Sequence, residues 1–500
     1  MRTLDTPVKQ IRRKIFGEVA KLGFESTDDS LIHDIEAVPY NIVQERAQYR
    51  ESIYRERAVA SERVRLAMGL SLRPENKAVH LTAGVEASNI DEKYYEPPLM
   101  QVIPSACSAC ESNKYEVSNM CRGCVAHPCM LTCPKGAISM VNGKSFIDQD
   151  KCIHCGRCKA VCPYDAIAHK ERPCERACGV KAIESDEQGR ASINQDKCVS
   201  CGMCMVSCPF GAISDKSQIY QLARSLKEGN EIIAEIAPAF VGQFGSMEPK
   251  DVHAALETLG FSEVYEVALG ADIGAVSEAR HYAEKVATGE LPFLLTSCCP
   301  SWSMLAKKYF PTMIDNISQE LTPMVATARS IKQEHPNAKV VFIGPCAAKK
   351  LEASRRSVRS DVDFVITFEE LVGMFDAKGI DMGEKENAHS MHDATAAGRG
   401  YAVAGGVAGA IEECLKAYYP DVTPKIIHAE GLAECKKTLA LAKAGKINGC
   451  LIEGMGCPGG CIAGAGTNLP LNKAAAKVKW FKSVSSKQLP PKELAEIELK

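Results

Sequence analysis

Sixteen of the 24 cysteines in this 500-residue chain lie between Cys107 and Cys208, and two runs among them have the spacing C-x2-C-x2-C-x3-C followed by proline. Thiolates at this spacing hold two [4Fe-4S] cubane clusters, and the fourth cysteine of each run binds the cluster of the other run. The rule predicts one cluster on Cys152, Cys155, Cys158 and Cys208, and a second on Cys198, Cys201, Cys204 and Cys162. Structural zinc would instead favour tetrahedral pairs of C-x2-C motifs.

Eight further cysteines lie before or between these runs, and they are also a multiple of four. By analogy with the crossing rule, we predict a third cluster on Cys121, Cys124, Cys129 and Cys178, and a fourth on Cys107, Cys110, Cys174 and Cys133. The alternative is a zinc knuckle on Cys107, Cys110, Cys121 and Cys124, with the other four cysteines completing one cluster. His127 and His154 lie close by in sequence, but thiolates are in surplus, so both histidines are interpreted as surface residues.

A short unit recurs four times in this region. Each copy starts with a cysteine and ends in Ala-Ile, and the copies begin at Cys133, Cys162, Cys178 and Cys208. This is an internal repeat. The region resembles bacterial two-cluster ferredoxins, which implies ferredoxin-like domains that carry electrons.

Composition excludes several classes of partner. The chain has 60 basic and 62 acidic side chains, so it offers no overall positive field for nucleic acid or an anionic membrane. It contains no run of about 18 apolar residues, and Glu18 and Lys21 interrupt the segment behind Arg12 and Arg13. We therefore expect neither a membrane span nor a secretion signal, and a reducing cytoplasm in which clustered cysteines bind metal rather than form disulfides.

The chain is expected to consist of six segments, whose helices and strands would position these cysteines. The predicted fold class is a multidomain α+β and α/β protein. The expected segments are an N-terminal mostly helical region (1–100), an accessory cysteine-rich segment (101–145, with Cys174 and Cys178), a two-cluster ferredoxin-like domain (146–215), a linker (216–230), an α/β domain (231–472) and a C-terminal tail (473–500). Before residue 70, apolar residues at helical spacing among alternating Arg and Glu indicate a solvated helix that packs on a neighbour.

Three motifs with chemistry lie in the α/β domain: Thr296-Ser-Cys-Cys-Pro-Ser-Trp302, Gly344-Pro-Cys-Ala-Ala-Lys349 and Glu453-Gly-Met-Gly-Cys-Pro-Gly-Gly-Cys461. Each follows an apolar run typical of a strand in a largely parallel sheet. Ligands in such sheets gather beyond the carboxyl ends of the strands. We therefore expect the three motifs to converge.

The three motifs, in this order, resemble the signature of [FeFe]-hydrogenases, and the resemblance covers about residues 140 to 470. It implies a two-lobed iron-hydrogenase domain behind ferredoxin-like [4Fe-4S] domains. It also implies that Cys299, Cys346, Cys457 and Cys461 bind a [4Fe-4S] cluster, with the Cys461 sulfur bridging to a di-iron subsite that carries CO, cyanide and azadithiolate. Together these form the H-cluster, accompanied by two to four accessory [4Fe-4S] clusters. The cofactor supplies the chemistry and the protein supplies position and electrostatics.

The resemblance also assigns roles around the subsite. Pro238 and Ala239 are implied pocket walls, Met455 belongs to the third motif, and the ammonium of Lys349 suits a buried cyanide. The implied proton relay begins at Cys298 and continues through Glu278 and Ser318. At the position where the family has an outer carboxylate, this chain has His281. Glu352 is interpreted as the partner of a nearby base.

Some positions depart from well-studied members of the family. A methionine usually precedes the Pro-Cys of the second motif, where this chain has Gly344, and a glutamine usually stands at Met324. The loop after Cys461 also differs. None of these departures removes a ligand, but together they predict a divergent subgroup.

The implied activity is reversible formation of H2 from protons and electrons, with ferredoxin or a similar carrier as electron partner and maturation enzymes that insert the subsite. The alternatives are a non-catalytic iron-sulfur assembly protein of the same fold, a hydrogen sensor, and a pure electron carrier. The last leaves about 270 residues after position 230 without a task. The sequence does not specify the oligomeric state.

Overall fold

The structure is a computed structural model that describes residues 6–358, 361–384, 394–497 and 499. Four helices open the chain: α1 (Pro7–Glu25), α2 (Leu31–Ile42), α3 (Ile53–Ala67) and α4 (Val85–Ser88). The Thr6 side chain accepts a hydrogen bond from the Lys9 amide, and Pro7 occupies the first turn, so α1 begins with a regular N-cap. None of the described helices is long and apolar enough to cross a membrane.

Short strands and helices carry the cysteine-rich region. The strands are β1 (Met100–Val102), β2 (Lys114–Val117), β3 (Ile138–Val141), β4 (Lys144–Ile147), β5 (Ile167–Lys170), β6 (Ile183–Ser185), β7 (Ala191–Ile193) and β8 (Ile213–Asp215). The helices are α5 (Pro128–Leu131), α6 (Arg157–Ala160), α7 (Pro173–Arg176) and α8 (Met203–Ser207). The strands pair in four antiparallel ribbons, β1 with β8, β2 with β5, β3 with β4, and β6 with β7.

These ribbons form two nested modules. An inner module (111–171) contains β2 with β5 and β3 with β4, and it is inserted into an outer module (99–110 and 172–217) that contains β1 with β8 and β6 with β7. The predicted border between an accessory segment and a ferredoxin-like domain at residue 145 does not follow this pairing. It cuts the inner module inside the β3–β4 hairpin.

The remaining elements build the α/β part of the chain. Its strands are β9 (Ile232–Ile236), β10 (Glu263–Glu266), β11 (Phe293–Leu295), β12 (Lys339–Gly344), β13 (Phe364–Thr367), β14 (Lys425–Glu430) and β15 (Cys450–Met455). Its helices are α9 (Ile219–Lys227), α10 (Pro249–Leu259), α11 (Ala268–His281), α12 (Pro300–Tyr309), α13 (Pro323–Glu334), α14 (Ala347–Ala353), α15 (Phe368–Lys378), α16 (Ala396–Gly400), α17 (Gly406–Tyr418), α18 (Leu432–Lys443) and α19 (Leu471–Ser483).

Two parallel sheets organise this part, as the apolar runs predict. One has the order β10-β9-β12-β13 and the other the order β11-β15-β14. Ile236 pairs with Ile343 in the first sheet, and Leu295 pairs with Ile452 in the second. The first and third motifs follow β11 and β15, which are neighbours in one sheet, so they leave the same carboxyl edge. The second motif follows β12 and leaves the carboxyl edge of the other sheet.

Helices from both ends of the chain pack on this α/β part. Helix α1 lies against α9 and α15, and a Cβ on Gly373 would stand 2.6 Å from the Cβ of Phe16, so the glycine permits this close approach. Helix α19 buries Ala474, Val478 and Phe481 in the same hydrophobic core. The predicted tail from 473 onward therefore contains a packed helix.

Buried charges link three parts of the chain. The Lys350 ammonium lies 2.7 Å from a carboxylate oxygen of Asp215 and 2.7 Å from one of Glu370. The Arg12 guanidinium pairs with Glu369 at 2.9 Å. This network joins α1, the outer module and α15, and all five side chains are buried.

Candidate functional site

A cavity of about 80 Å³, here called the central cavity, lies beyond the carboxyl ends of the strands of both sheets. Nine residues that the sequence singles out line it together: Pro238, Ala239, Cys298, Cys299, Cys346, Lys349, Met455, Cys457 and Cys461. They come from four separate segments. The expected convergence of the three motifs is therefore present, and Met324 and Tyr401 complete the wall.

Glycines allow the motif segments to approach each other. The Gly456 amide donates a hydrogen bond to the Cys299 sulfur at 3.4 Å. A Cβ on Gly464 would lie 2.3 Å from the Pro345 carbonyl oxygen, so a side chain there would push the second and third motifs apart. Four thiols around a small, mostly apolar space fit a cluster that is ligated by four cysteines.

Lys349 is a buried cation at the cavity wall. Its ammonium lies 2.7 Å from Glu352 and donates a hydrogen bond to the Thr322 hydroxyl at 3.2 Å. Burial is the largest influence and lowers the pKa of Lys349, but the charge and hydrogen bond of Glu352, together with negative charge on Cys346 and Cys298, outweigh it, so the pKa is raised. Lys349 therefore carries its charge at neutral pH, and Glu352 is the partner of a base, as expected.

Predicted relay residues lie together beside the cavity. Burial raises the pKa of Glu278 to about 7, although nearby Ser318 and the Ser297 amide lower it. Burial also raises the pKa of the Cys298 thiol well above its usual value, and the charge of Glu278 adds to this effect. His281 lies half-buried on the last turn of α11, and within the described ranges no hydrogen bond joins it to Glu278 or Ser318.

Glu320 lies next to this group, although the sequence reasoning did not select it. Its amide donates to the Ser318 hydroxyl at 3.3 Å, and its carbonyl accepts from the Ser297 hydroxyl at 3.1 Å. Its charge contributes to the raised pKa of Glu278. A carboxylate two residues after Ser318 was the signal that could have identified it.

Three smaller cavities in the two modules are each lined by four cysteines. The sets are Cys107, Cys110, Cys174 and Cys208; Cys121, Cys124, Cys129 and Cys162; and Cys178, Cys198, Cys201 and Cys204. The other four are Cys133, Cys152, Cys155 and Cys158, of which Cys133, Cys152 and Cys158 pack in one hydrophobic cluster of the inner module. The predicted division of the cysteines, which gave Cys208 to the run at 152–158 and Cys162 to the run at 198–204, does not match these cavity linings.

Nesting of the modules explains the difference. In the structure, the fourth cysteine of each set comes from the same module as the other three. The prediction instead took the fourth cysteine from the other of the two most regular runs, and these two runs belong to different modules. The four repeat units share one geometry. The amides of Ala137, Ala166, Ala182 and Ala212 donate to the sulfurs of Cys133, Cys162, Cys178 and Cys208.

The zinc alternative gains no support from this arrangement. Among the residues that the structure describes, no three His, Cys, Asp or Glu side chains are arranged to hold a single metal ion. A cubane is larger than an ion, so its thiolates surround a volume.

This partition predicts the result of a double substitution. Replacing Cys129 and Cys162 together by serine should cost one cluster, about four iron atoms per chain, because both thiols line one cavity. Iron analysis with electron paramagnetic resonance of the reduced protein measures the loss. Replacing Cys162 and Cys208 together is the matched comparison and should cost two clusters. A loss of two clusters in the first variant would contradict the partition.

Comparison with known proteins follows the same division of the chain. A family model described as the iron-only hydrogenase large subunit, C-terminal domain, matches residues 230–465, and a 4Fe-4S binding domain model matches residues 146–168 and 191–214. The periplasmic [Fe] hydrogenase large subunit of Nitratidesulfovibrio vulgaris is 30% identical over 377 residues, which is 64% of this chain and 85% of that protein. The chain belongs to the iron-only hydrogenase family.

Other members and relatives of this hydrogenase family also match. Iron hydrogenase 1 of Clostridium pasteurianum is 28% identical over 67% of each chain. A solved [FeFe]-hydrogenase from Chlamydomonas reinhardtii is 22% identical, covers 53% of this chain and 87% of that chain, and has a TM-score of 0.40. The cytosolic Fe-S cluster assembly factor NAR1 of Meyerozyma guilliermondii is 28% identical over 29% of each chain. The relatives that match this chain thus include both hydrogenases and an assembly factor.

Proposed function

We propose that this protein is an [FeFe]-hydrogenase that catalyses the reversible reaction of two protons and two electrons to H2. The observation that carries the proposal is the central cavity, where Cys298, Lys349 and Met455 stand beside the four motif cysteines. A protein that held only cubanes would have no evident use for a buried thiol and a buried ammonium at this place.

Cys299, Cys346, Cys457 and Cys461 would hold the proposed H-cluster together with its di-iron unit. When bound, that unit supplies the metal site at which protons and electrons combine into H2 or H2 is split. Lys349 holds a positive charge toward the anionic part of the site, and Glu352 keeps it charged. Pro238, Ala239 and Met455 line the pocket with apolar surface and exclude water.

Protons travel between the pocket and solvent through the chain's own acid groups in this proposal. Cys298 exchanges a proton with the pocket, and buried Glu278 and Ser318 continue the route. A carboxyl with a pKa of about 7 is suited to both accepting and releasing protons near neutral pH. The outer group is Glu320 or His281, and the backbone contacts of Glu320 with Ser318 and Ser297 favour Glu320.

Electrons enter from a ferredoxin or a similar carrier. The inner module exposes large apolar side chains, with Val125 95% and Leu131 84% exposed, which suits a docking partner. Cys201 lines both an outer-module cavity and the central cavity. Cys178, Cys198, Cys201 and Cys204 would therefore hold the accessory cluster next to the H-cluster site, which is the position needed for electron supply to that site.

The two candidates for the outer relay group have different expected effects. Replacing Glu320 by glutamine should slow H2 evolution by about tenfold, because the route loses a proton-exchanging group. It should also move the inflection of the rate profile to lower pH, since removing a negative charge lowers the pKa of Glu278. Rates measured from pH 5 to 9 test this. The His281→Gln variant is the control, and a larger effect of that variant would contradict the assignment.

A second candidate function is iron-sulfur protein assembly, and the local similarity to NAR1 proteins favours it. A hydrogen sensor would use the same pocket with little turnover.

The discriminating test loads the purified protein with cubanes, divides it, and matures one half with synthetic di-iron cofactor. The hydrogenase proposal predicts H2 evolution from a reduced low-potential dye in the matured half alone. Equal, background rates in both halves would refute it.

A further inference from the structure

Tyr401 has a buried hydroxyl for which the structure shows no partner. The residue follows α16 directly, is 7% exposed, and packs with Ala271 and Ala275 of α11. Its hydroxyl oxygen is buried and has no hydrogen-bond partner in the described part of the chain. Burying a hydroxyl without a hydrogen bond destabilises the folded protein. A phenylalanine would fill nearly the same space without that cost, so the hydroxyl calls for an explanation.

The hydroxyl lies on the face of α11 that carries Glu278. A Cβ on Gly274 would stand 3.8 Å from the Tyr401 oxygen. Gly274 precedes Glu278 by four residues, which is one turn on the same helix face. Helical side chains lean toward the N-terminus, so the Glu278 side chain extends back toward the turn that the Tyr401 hydroxyl covers.

Tyr401 also borders the central cavity on the side of Cys298. Both residues line that cavity and pack in the same hydrophobic cluster. Burial raises the pKa of Tyr401 well above its usual value, and negative charge on Glu278 or Cys298 raises it further. The hydroxyl therefore stays protonated at neutral pH, and a neutral hydroxyl can donate one hydrogen bond while it accepts another.

A gap separates the two inner members of the relay. The Glu278 carboxylate accepts from the Ser297 amide at 3.4 Å and lies next to Ser318, but over the described ranges no hydrogen bond joins it to the Cys298 thiol. Proton transfer needs groups within hydrogen-bond reach, directly or through one water. Tyr401 borders both the α11 face that carries Glu278 and the cavity that Cys298 lines.

We propose that the Tyr401 hydroxyl is a relay group that links Glu278 to the central cavity. In H2 evolution, the tyrosine oxygen receives a proton from the Glu278 side while its own proton passes on to an acceptor in the cavity. One O–H bond forms at Tyr401 as another breaks, and no electrons move. Uptake reverses the direction. The inference rests on the proposed hydrogenase function and adds a relay group to its proton route.

The Tyr401→Phe variant tests this by removing a single oxygen atom. We expect H2 turnover to fall by about tenfold, because water replaces the hydroxyl incompletely, and the solvent deuterium isotope effect on turnover to rise as proton delivery becomes limiting. Thermal stability of the protein that holds only cubanes should stay equal or increase, since an unpartnered polar group has been removed. Tyr282→Phe is the matched control. The Tyr282 hydroxyl donates a hydrogen bond to the Gly449 carbonyl at 2.8 Å, and this hydrogen bond lies away from the cavity.

Three outcomes are distinguishable. Lower turnover with unchanged or higher stability supports the relay role. Turnover and isotope effect equal to those of the unsubstituted protein overturn it, and so does a loss of stability that accounts for the lost turnover. If the unsubstituted matured protein evolves no H2, the proposed function itself fails, and the comparison of variants is not reached.

Discussion

Replacement of Cys298 by alanine is expected to reduce H2 turnover by at least about a hundredfold. A loss of this size is expected when a general acid or base is removed. Cys298 is the one thiol of the central cavity that the proposal leaves unligated. Its position beside Glu278 makes it the group that exchanges protons with the pocket. Turnover with a reduced dye, together with iron content, measures the effect.

The matched control for that experiment is Cys414→Ala. Cys414 is a buried cysteine of α17 that packs in the same hydrophobic cluster but does not line the cavity. Both variants should keep the iron content of the unsubstituted protein, and the control should keep its turnover. Full turnover in Cys298→Ala would remove this thiol from the proton route.

Replacement of Lys350 by methionine is expected to destabilise the protein by about 3–5 kcal/mol. The change leaves Asp215 and Glu370 buried without the cation that lies 2.7 Å from each. A buried carboxylate that loses its partner keeps its desolvation penalty, whereas Arg12 offsets only part of it. The shift of the denaturant midpoint, converted with the measured slope, gives the free energy.

Lys332→Met is the matched control for the stability measurement. Lys332 pairs with Asp363 at 2.9 Å, but both side chains are about one quarter exposed, so solvent screens the pair. We expect this variant to lose no more than about 1 kcal/mol. Equal shifts in the two variants would show that the buried network does not hold the three parts of the chain together.

Much of the fold follows from patterns that are local in sequence. Apolar runs before the three motifs predict β11, β12 and β15. Parallel pairing of β11 with β15 brings the first and third motifs together, because the carboxyl ends of parallel strands in one sheet share an edge. The second motif follows β12 in the other sheet, so its arrival at the same cavity depends on how the two sheets pack. The ferredoxin-like runs are equally plain, because cluster spacing is set by the size of the cluster.

What the sequence could not supply depends on contacts between distant segments. The division of the sixteen cysteines required knowing that β1 pairs with β8 around an inserted module, and no local pattern specifies that pairing. The unpartnered state of Tyr401 is likewise invisible in sequence. It arises because α16 packs on α11 and places the Tyr401 hydroxyl near Gly274, which has no side chain that could form a hydrogen bond with it.

Infrared spectroscopy of the matured protein is the most direct test of the central claim, since CO and cyanide ligands absorb where protein does not. The account predicts sharp CO and cyanide bands in protein that also evolves H2 from a reduced dye. Bands accompanied by little turnover would indicate a sensor. An absence of bands, in protein whose cubanes are filled and which has been offered the di-iron cofactor, would contradict the hydrogenase proposal and favour the assembly function.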